Sequence, residues 1–126
     1  MKLHSSVAAG LFSITSYDAG HIAVNGRRLA KSFILTPQRL IEDWPPGSFD
    51  SLTESDLLAV AKLGCPIVLL GTGARQRFPA PALLRPLIER RFGVEVMDSH
   101  AACRTYNILM AEGRDVAAAM IIECTG

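Results

Sequence analysis

Pro66-Ile67-Val68-Leu69-Leu70-Gly71-Thr72-Gly73 is an unbroken apolar run that stops in a glycine-flanked turn. A strand with one wet face would alternate polar and apolar residues. This run does not, so both of its faces need cover, and it reads as the central strand of a parallel or mixed sheet held between helices. Pro66 stands at the strand start, where its missing N–H does least harm. The turn at the other end falls at the carboxyl edge of the sheet, where open α/β folds hold their ligands.

The flanking residues supply the cover. Upstream, Thr53 and Asp56 form a capping pair for a helix whose apolar residues are Leu57, Leu58, Val60, Ala61 and Leu63, with Gly64 as its left-handed stop. Downstream, the loop Ala74–Pro79 leads to a helix holding Leu83, Leu84, Leu87, Ile88 and Phe92. Pro86 leaves two options there: a kink one turn in, or a regular helix that starts near Pro86 after a looser lead-in from Pro81. Gly93 would end that helix and Val94–Met97 would form a short strand. Asp98-Ser99 would cap a helix through Ala101, Ala102, Tyr106, Ile108 and Leu109 to a stop at Gly113, and Val116–Ile122 would be the last strand. The Pro66 and Val94 strands are expected to be parallel neighbours joined by a right-handed crossover, with helices on both faces.

The front of the chain is patterned differently. Phe12 and Ile14 alternate with Ser and Thr, and Ile22 and Val24 repeat the alternation up to Asn25-Gly26, the dipeptide of a type I′ hairpin turn. Arg27 to Leu29 would return, Ser32–Leu35 would add another short strand, and Gln38–Glu42 could form a helical turn. Asp43–Ser48 is a loop fixed by two prolines and a glycine, with the lone Trp44 clamping it to the core or stacking on a ligand. The fold class is therefore α/β: a three-layer arrangement with a mixed sheet, an N-terminal antiparallel meander and a C-terminal alternation of helix and strand.

At 126 residues the chain can bury one core, so we take 1–126 as a single domain with its ordered part over about 12–122 and a frayed tail from Glu123. Thirteen Lys and Arg against twelve Asp and Glu give a net charge of +1, which offers no electrostatic argument for nucleic acid or an anionic membrane. No segment approaches the ~20 apolar residues of a membrane span, and the amino terminus is too broken for a signal peptide. Cys65, Cys103 and Cys124 are distant and odd in number, which points to reduced thiols and a cytoplasmic location. His4, His21 and His100 lack ligand spacing, so neither a metal nor another cofactor is expected.

Two βα junctions, Gly71-Thr72-Gly73 and Asp98-Ser99-His100, should face the same sheet edge, and any small-molecule site should lie between them. Gly71 and Gly73 could turn backbone N–H groups toward an anion, with Arg75 or Arg77 adding charge and the helix beyond Ser99 a partial positive end. Tight turning alone also accounts for both glycines. Gln76 stands where a dinucleotide fingerprint needs a third glycine, and no Gly-Lys-Ser/Thr is present. Asp98, Ser99 and His100 are consecutive, so they cannot relay a proton among themselves, and capping explains the first two. Cys103, in the first turn of the same helix, is either a thiolate favoured by the helix dipole or a small buried thiol. The candidate ligand-binding set is Gly71, Thr72, Gly73, Arg75, Ser99, His100 and Cys103; no catalytic residue emerges.

Asn25-Gly26, Leu70-Gly71-Thr72-Gly73, Val94–Asp98, Ala102-Cys103-Arg104-Thr105-Tyr106-Asn107, Glu112-Gly113-Arg114 and the Ala-rich last strand together form a pattern. Over about Ser16 to Ile122 it resembles the domain-of-unknown-function family 498, the Mth938-like domain, which includes a mitochondrial assembly factor for respiratory complex I and an adipogenesis-associated protein. The resemblance implies a three-layer α/β fold and carries over no catalytic residue. Its mitochondrial members have a targeting extension that is not seen in this chain, which fits a bacterial cytoplasmic protein. The reading that follows is a non-enzymatic assembly or interaction factor with a protein partner, in which a homodimer is also open. The alternative is a small-ligand-binding protein or enzyme working at the Gly71–Gly73 edge. A shallow junction there favours the first reading, and a deep cleft converging on Arg75, His100 and Cys103 favours the second.

Overall fold

The computed structural model describes residues 10–123. Eight strands and three α-helices follow one another as β1 (Ile14–Asp18), β2 (His21–Val24), β3 (Arg27–Leu29), β4 (Phe33–Leu35), β5 (Leu40–Ile41), α1 (Glu54–Ala61), β6 (Ile67–Gly71), α2 (Arg85–Ile88), β7 (Gly93–Met97), α3 (Ser99–Ala111) and β8 (Val116–Met120). The first three strands form an antiparallel sheet of their own. Asn25 and Gly26 turn the β2–β3 hairpin at φ of 49° and 85°, as the type I′ signal requires. The other five make a mixed sheet in the order β5-β4-β8-β6-β7, with β6 parallel to both β7 and β8 and β4 antiparallel to β8.

Side-chain alternation on the larger sheet divides the core in two. Phe33, Leu35, Leu69, Val116, Ala118 and Met120 face α3 and the small sheet, meeting Ile14, Ile22, Val24, Ala102, Cys103 and Tyr106. Ile34, Val68, Leu70, Ala117, Ala119 and Ile121 face the opposite way, onto Leu57, Val60 and Ala61 of α1, Leu87 of α2, and Trp44. The result is the three-layer α/β arrangement anticipated above.

Several expectations hold in detail. Thr53 and Asp56 make the reciprocal capping box of α1, and Gly64 follows that helix at φ 77°. A 3₁₀ turn over Pro81–Leu84 precedes α2, so the regular helix begins at Arg85 with Pro86 in its first turn, where no intrahelical N–H is needed. Trp44 is buried and donates from Nε1 to the Asp56 carbonyl at 3.0 Å, which ties its proline loop to α1.

Other expectations are corrected. The centre of the sheet is β8, all five of whose residues are buried, and β6 lies one place toward the edge. Gln38–Glu42 is not helical. Thr36 and Arg39 exchange backbone bonds of 2.8 and 3.3 Å around Pro37-Gln38, and this two-residue turn sends β5 back against β4. The left-handed residue after α2 is Arg91 at φ 59°, whereas Gly93 opens β7 by donating to the Pro66 carbonyl. Glu123 is held in place, its Oε2 accepting from the Phe49 N–H at 3.0 Å. The amino-terminal reading falls on residues 1–9, and the rest of the expected tail on residues 124–126, outside the described residues.

Asn107 is a half-buried polar residue of α3. Its Oδ1 accepts from Ile14 N–H at 2.9 Å and its Nδ2 donates to Ile14 C=O at 2.8 Å. The carboxamide thus pairs with the outer side of β1 as another strand would, and fastens the small sheet to α3.

Candidate functional site

The carboxyl ends of β6 and β7 and the start of α3 meet where the sequence places them. Gly71 has ordinary φ, but a Cβ there would lie 2.9 Å from Ser99 Oγ and 3.0 Å from both Ser99 Cα and Met120 Sδ. Its glycine is required by close packing. Gly73 sits at φ 98°, where an L side chain is strained, and a Cβ would also reach within 2.5 Å of Glu123 Oε1. Between them, buried Thr72 donates from Oγ1 to the Arg75 carbonyl at 2.7 Å and accepts from Arg77 N–H at 3.1 Å, closing the loop on itself.

Ser99 is the knot of the junction. Its buried hydroxyl accepts from Gly73 N–H at 2.9 Å and donates to the Ile121 carbonyl at 2.8 Å, while its own N–H donates to the Gly73 carbonyl at 2.9 Å. Asp98 caps α3 through Ala101 N–H at 2.8 Å, and Thr72 N–H is taken by the Met97 carbonyl. These bonds occupy the Gly73 N–H, one of the two that the sequence offered to an anion.

Beside this knot lies a groove of about 260 Å³, lined by Asp18, Gly20 and His21 of the β1–β2 turn together with Gly73, His100 and Glu123. His100 donates from Nε2 to the Asp18 carbonyl at 3.0 Å, and its ring lies 4.4 Å from the Tyr17 ring at a tilt of 36°. Tyr17 in turn accepts from Arg104 at 2.7 Å. Asp18 also lies 3.3 Å from His21 Nδ1. Asp18 and Glu123 bring carboxylates, not cations, to the groove.

Of the seven candidate residues, Gly73, Ser99 and His100 line this groove, while Gly71 and Thr72 are buried beneath it. Arg75 is exposed and has no ion-pair partner among the described residues, and Arg77 pairs instead with Asp50 and stacks at 4.4 Å over Phe49. Cys103 is in the core under α3 with no exposed surface. Burial pushes its thiol up to about 12, with the Arg104 charge opposing and Asp98 adding. No three His, Cys, Asp or Glu side chains cluster to hold a metal among the described residues. The sequence reading missed Asp18, His21 and Glu123. The Asp18-Ala19-Gly20 turn was a usable signal, but the contact of Glu123 with Phe49 spans 74 residues and had none.

An inert thiol has a direct consequence. Iodoacetamide at pH 8 should modify Cys103 at least about a hundredfold more slowly in the native protein than in urea, because the nucleophile is the thiolate. Labelling at equal rates would show the thiol to be accessible and ionised. Because the folded pKa is raised, this group's contribution to stability is complete below about 9 and is lost as pH rises toward about 12.

Fold and site together define a three-layer α/β arrangement with a self-bonded β–α junction and a flanking groove of about 260 Å³. The profile of the family described as protein of unknown function (DUF498/DUF598) matches residues 14–121, and the chain belongs to that family. It is 37% identical over 110 residues, 86% of its length, to NADH dehydrogenase [ubiquinone] 1 alpha subcomplex assembly factor 3 of Bos taurus, and spans 59% of that relative. A Bordetella parapertussis crystal structure superposes with a TM-score of 0.86 at 40% identity, over 93% of this chain and 100% of the other. A Bordetella pertussis solution structure, a Mth938-like domain, gives 0.82 at 35% identity over 98% and 93%. The fold is Mth938-like. No helix among the described residues is long and apolar enough to cross a membrane.

Proposed function

We propose that this chain is a non-enzymatic interaction factor that helps a protein assembly form, acting as one domain in the cytoplasm. One observation carries the reading: the three groups that could have made a reaction centre are placed apart. Cys103 is buried in the core, Arg75 points to solvent, and His100 is bonded to the Asp18 backbone. The junction between them spends its polar groups on itself, as a scaffold does. The likeness to an assembly factor supplies the type of partner, a protein subunit that is not yet in its final complex.

Capture of the tagged full chain from native lysate, followed by gel filtration and mass spectrometry of proteins and small molecules, tests this. A stoichiometric protein partner that survives Ala74→Trp, which sets a large side chain at an exposed residue lining the groove, is the expected result. A stoichiometric small molecule that is lost from the Ala74→Trp variant would replace the reading with a ligand-binding one.

A further inference from the structure

Each sheet ends in strands whose outward backbone groups need cover. On the small sheet, α3 covers β1 through Asn107 on Ile14 and His100 on Asp18, and β3 has only three residues. On the large sheet, β5 has only two, but β7 runs for five residues at an edge. Gly93 N–H and Met97 C=O bond inward to the Pro66 and Thr72 backbones, so the alternation of a strand turns the N–H and C=O groups of Val94 and Val96 outward. Three of these four groups have no bond among the described residues. The fourth, Val96 C=O, accepts from the Gln76 side-chain amide at 2.8 Å, the bond that the first peptide unit of an added strand would make.

The surroundings of this edge are basic. Residues 75–91 carry five Arg and one Glu, a net of +4 in a chain whose total is +1. Arg75 precedes Gln76 at one end of β7, Arg91 stands two residues before its first residue, Gly93, at the other, and Arg85 and Arg90 are also exposed. Arg75, Arg85 and Arg91 have no carboxylate partner among the described residues. The same segment carries Phe78, 74% exposed, and Ile88, 56% exposed, the kind of side chains that anchor an interface. A second copy of this chain fits poorly, since antiparallel self-pairing centred on β7 would set Glu95 against Glu95 of the other copy.

We propose that β7 is the docking edge for an extended acidic segment of a partner protein, which adds as a sixth strand and sets its carboxylates among Arg75, Arg91 and their neighbours. This rests on the interaction-factor reading and names the surface it uses. The probe is a blocked, dye-labelled ten-residue peptide alternating valine with glutamate and threonine, alongside its lysine-for-glutamate counterpart. The acidic peptide should bind, lose affinity as salt is raised, and slow hydrogen exchange at the Val94 and Val96 amides at least about tenfold. Val96→Pro removes an outward N–H that the sheet does not use, so it should abolish binding and leave the fold intact. Should that variant misfold, Arg75→Glu with Arg91→Glu keeps every edge amide and should weaken the peptide at least about tenfold. Equal binding of the lysine peptide, unprotected Val94 and Val96 amides, or a dimer that Val96→Pro dissociates would each overturn the proposal. A captured partner indifferent to Val96→Pro overturns the edge alone, whereas a wild-type chain that captures no protein overturns the reading beneath it.

Discussion

Gly73→Val should destabilise the protein by about 2–4 kcal/mol, lowering its thermal midpoint by roughly 10 °C, through two separate effects. The first is conformational: at φ 98° a β-branched residue meets its own backbone, at about 1–2 kcal/mol. The second is local, because the new Cβ would sit 2.5 Å from Glu123 Oε1. That carboxylate is the far end of a flexible side chain and can swing away, but doing so releases the Phe49 N–H it holds at 3.0 Å. Glu123→Ala separates the two effects. In that background Gly73→Val should lose only its conformational share, so the two changes should be less than additive. Gly71→Val should destabilise by a different route. Its φ is ordinary, and the obstruction is the Ser99 backbone at 3.0 Å, which cannot rotate out of the way. Denaturant melts of the four variants measure all of this. A Gly73→Val protein that melts like its parent would show that this turn is not the constrained element described here.

The contrast between the two glycines shows what a sequence can and cannot disclose. Gly71-Thr72-Gly73 was recognisable as a turn at a sheet edge because an apolar run ended there, and that signal is local. So were the Asn25-Gly26 hairpin and the Thr53–Asp56 cap, each of which satisfies its own backbone within a few residues. What stayed hidden depends on strand order. An apolar run shows that a strand is buried on both faces, but β6 and β8 both meet that description, and only the pairing of β4 with β8 puts β8 at the centre. The Pro37-Gln38 turn misled because its short strands offer too few residues for a period of two to emerge.

The candidate site shows the same limit. Its backbone was legible at Gly73, Ser99 and His100, yet three of the groove's side chains come from Asp18, His21 and Glu123, at the two ends of the described chain. Arg75 and Cys103 had been grouped with them by closeness in sequence to the two junctions. Helix periodicity gives the reason for Cys103: it lies one turn on from Ser99 and shares the inward face with Ala102, Tyr106 and Met110, all buried. Arg75 departs because Thr72 turns the chain back through the Arg75 carbonyl, which leaves the guanidinium on the outside.

Ser99→Ala should cost about 2–5 kcal/mol, well beyond the usual effect of removing one hydroxyl. The hydroxyl bonds a donor and an acceptor that belong to different segments, the Gly73 N–H at 2.9 Å and the Ile121 carbonyl at 2.8 Å. Both bonds are buried, so alanine strands an N–H and a C=O with no access to water, at about 1–3 kcal/mol each. Threonine does not rescue the site. Its hydroxyl could keep both bonds, but its extra methyl would enter a space so tight that even a Cβ on Gly71 would come within 2.9 Å of Ser99 Oγ. Cysteine, with a longer and weaker-bonding side chain, should fall between alanine and serine. Hydrogen exchange localises the loss. Freed of its acceptor, the Gly73 amide should exchange faster in Ser99→Ala than in the parent, while amides in the centre of β8 slow or quicken only with global stability. If Ser99→Ala keeps the parent's melting midpoint and leaves Gly73 protected, then the two sheet ends are joined by something other than this hydroxyl.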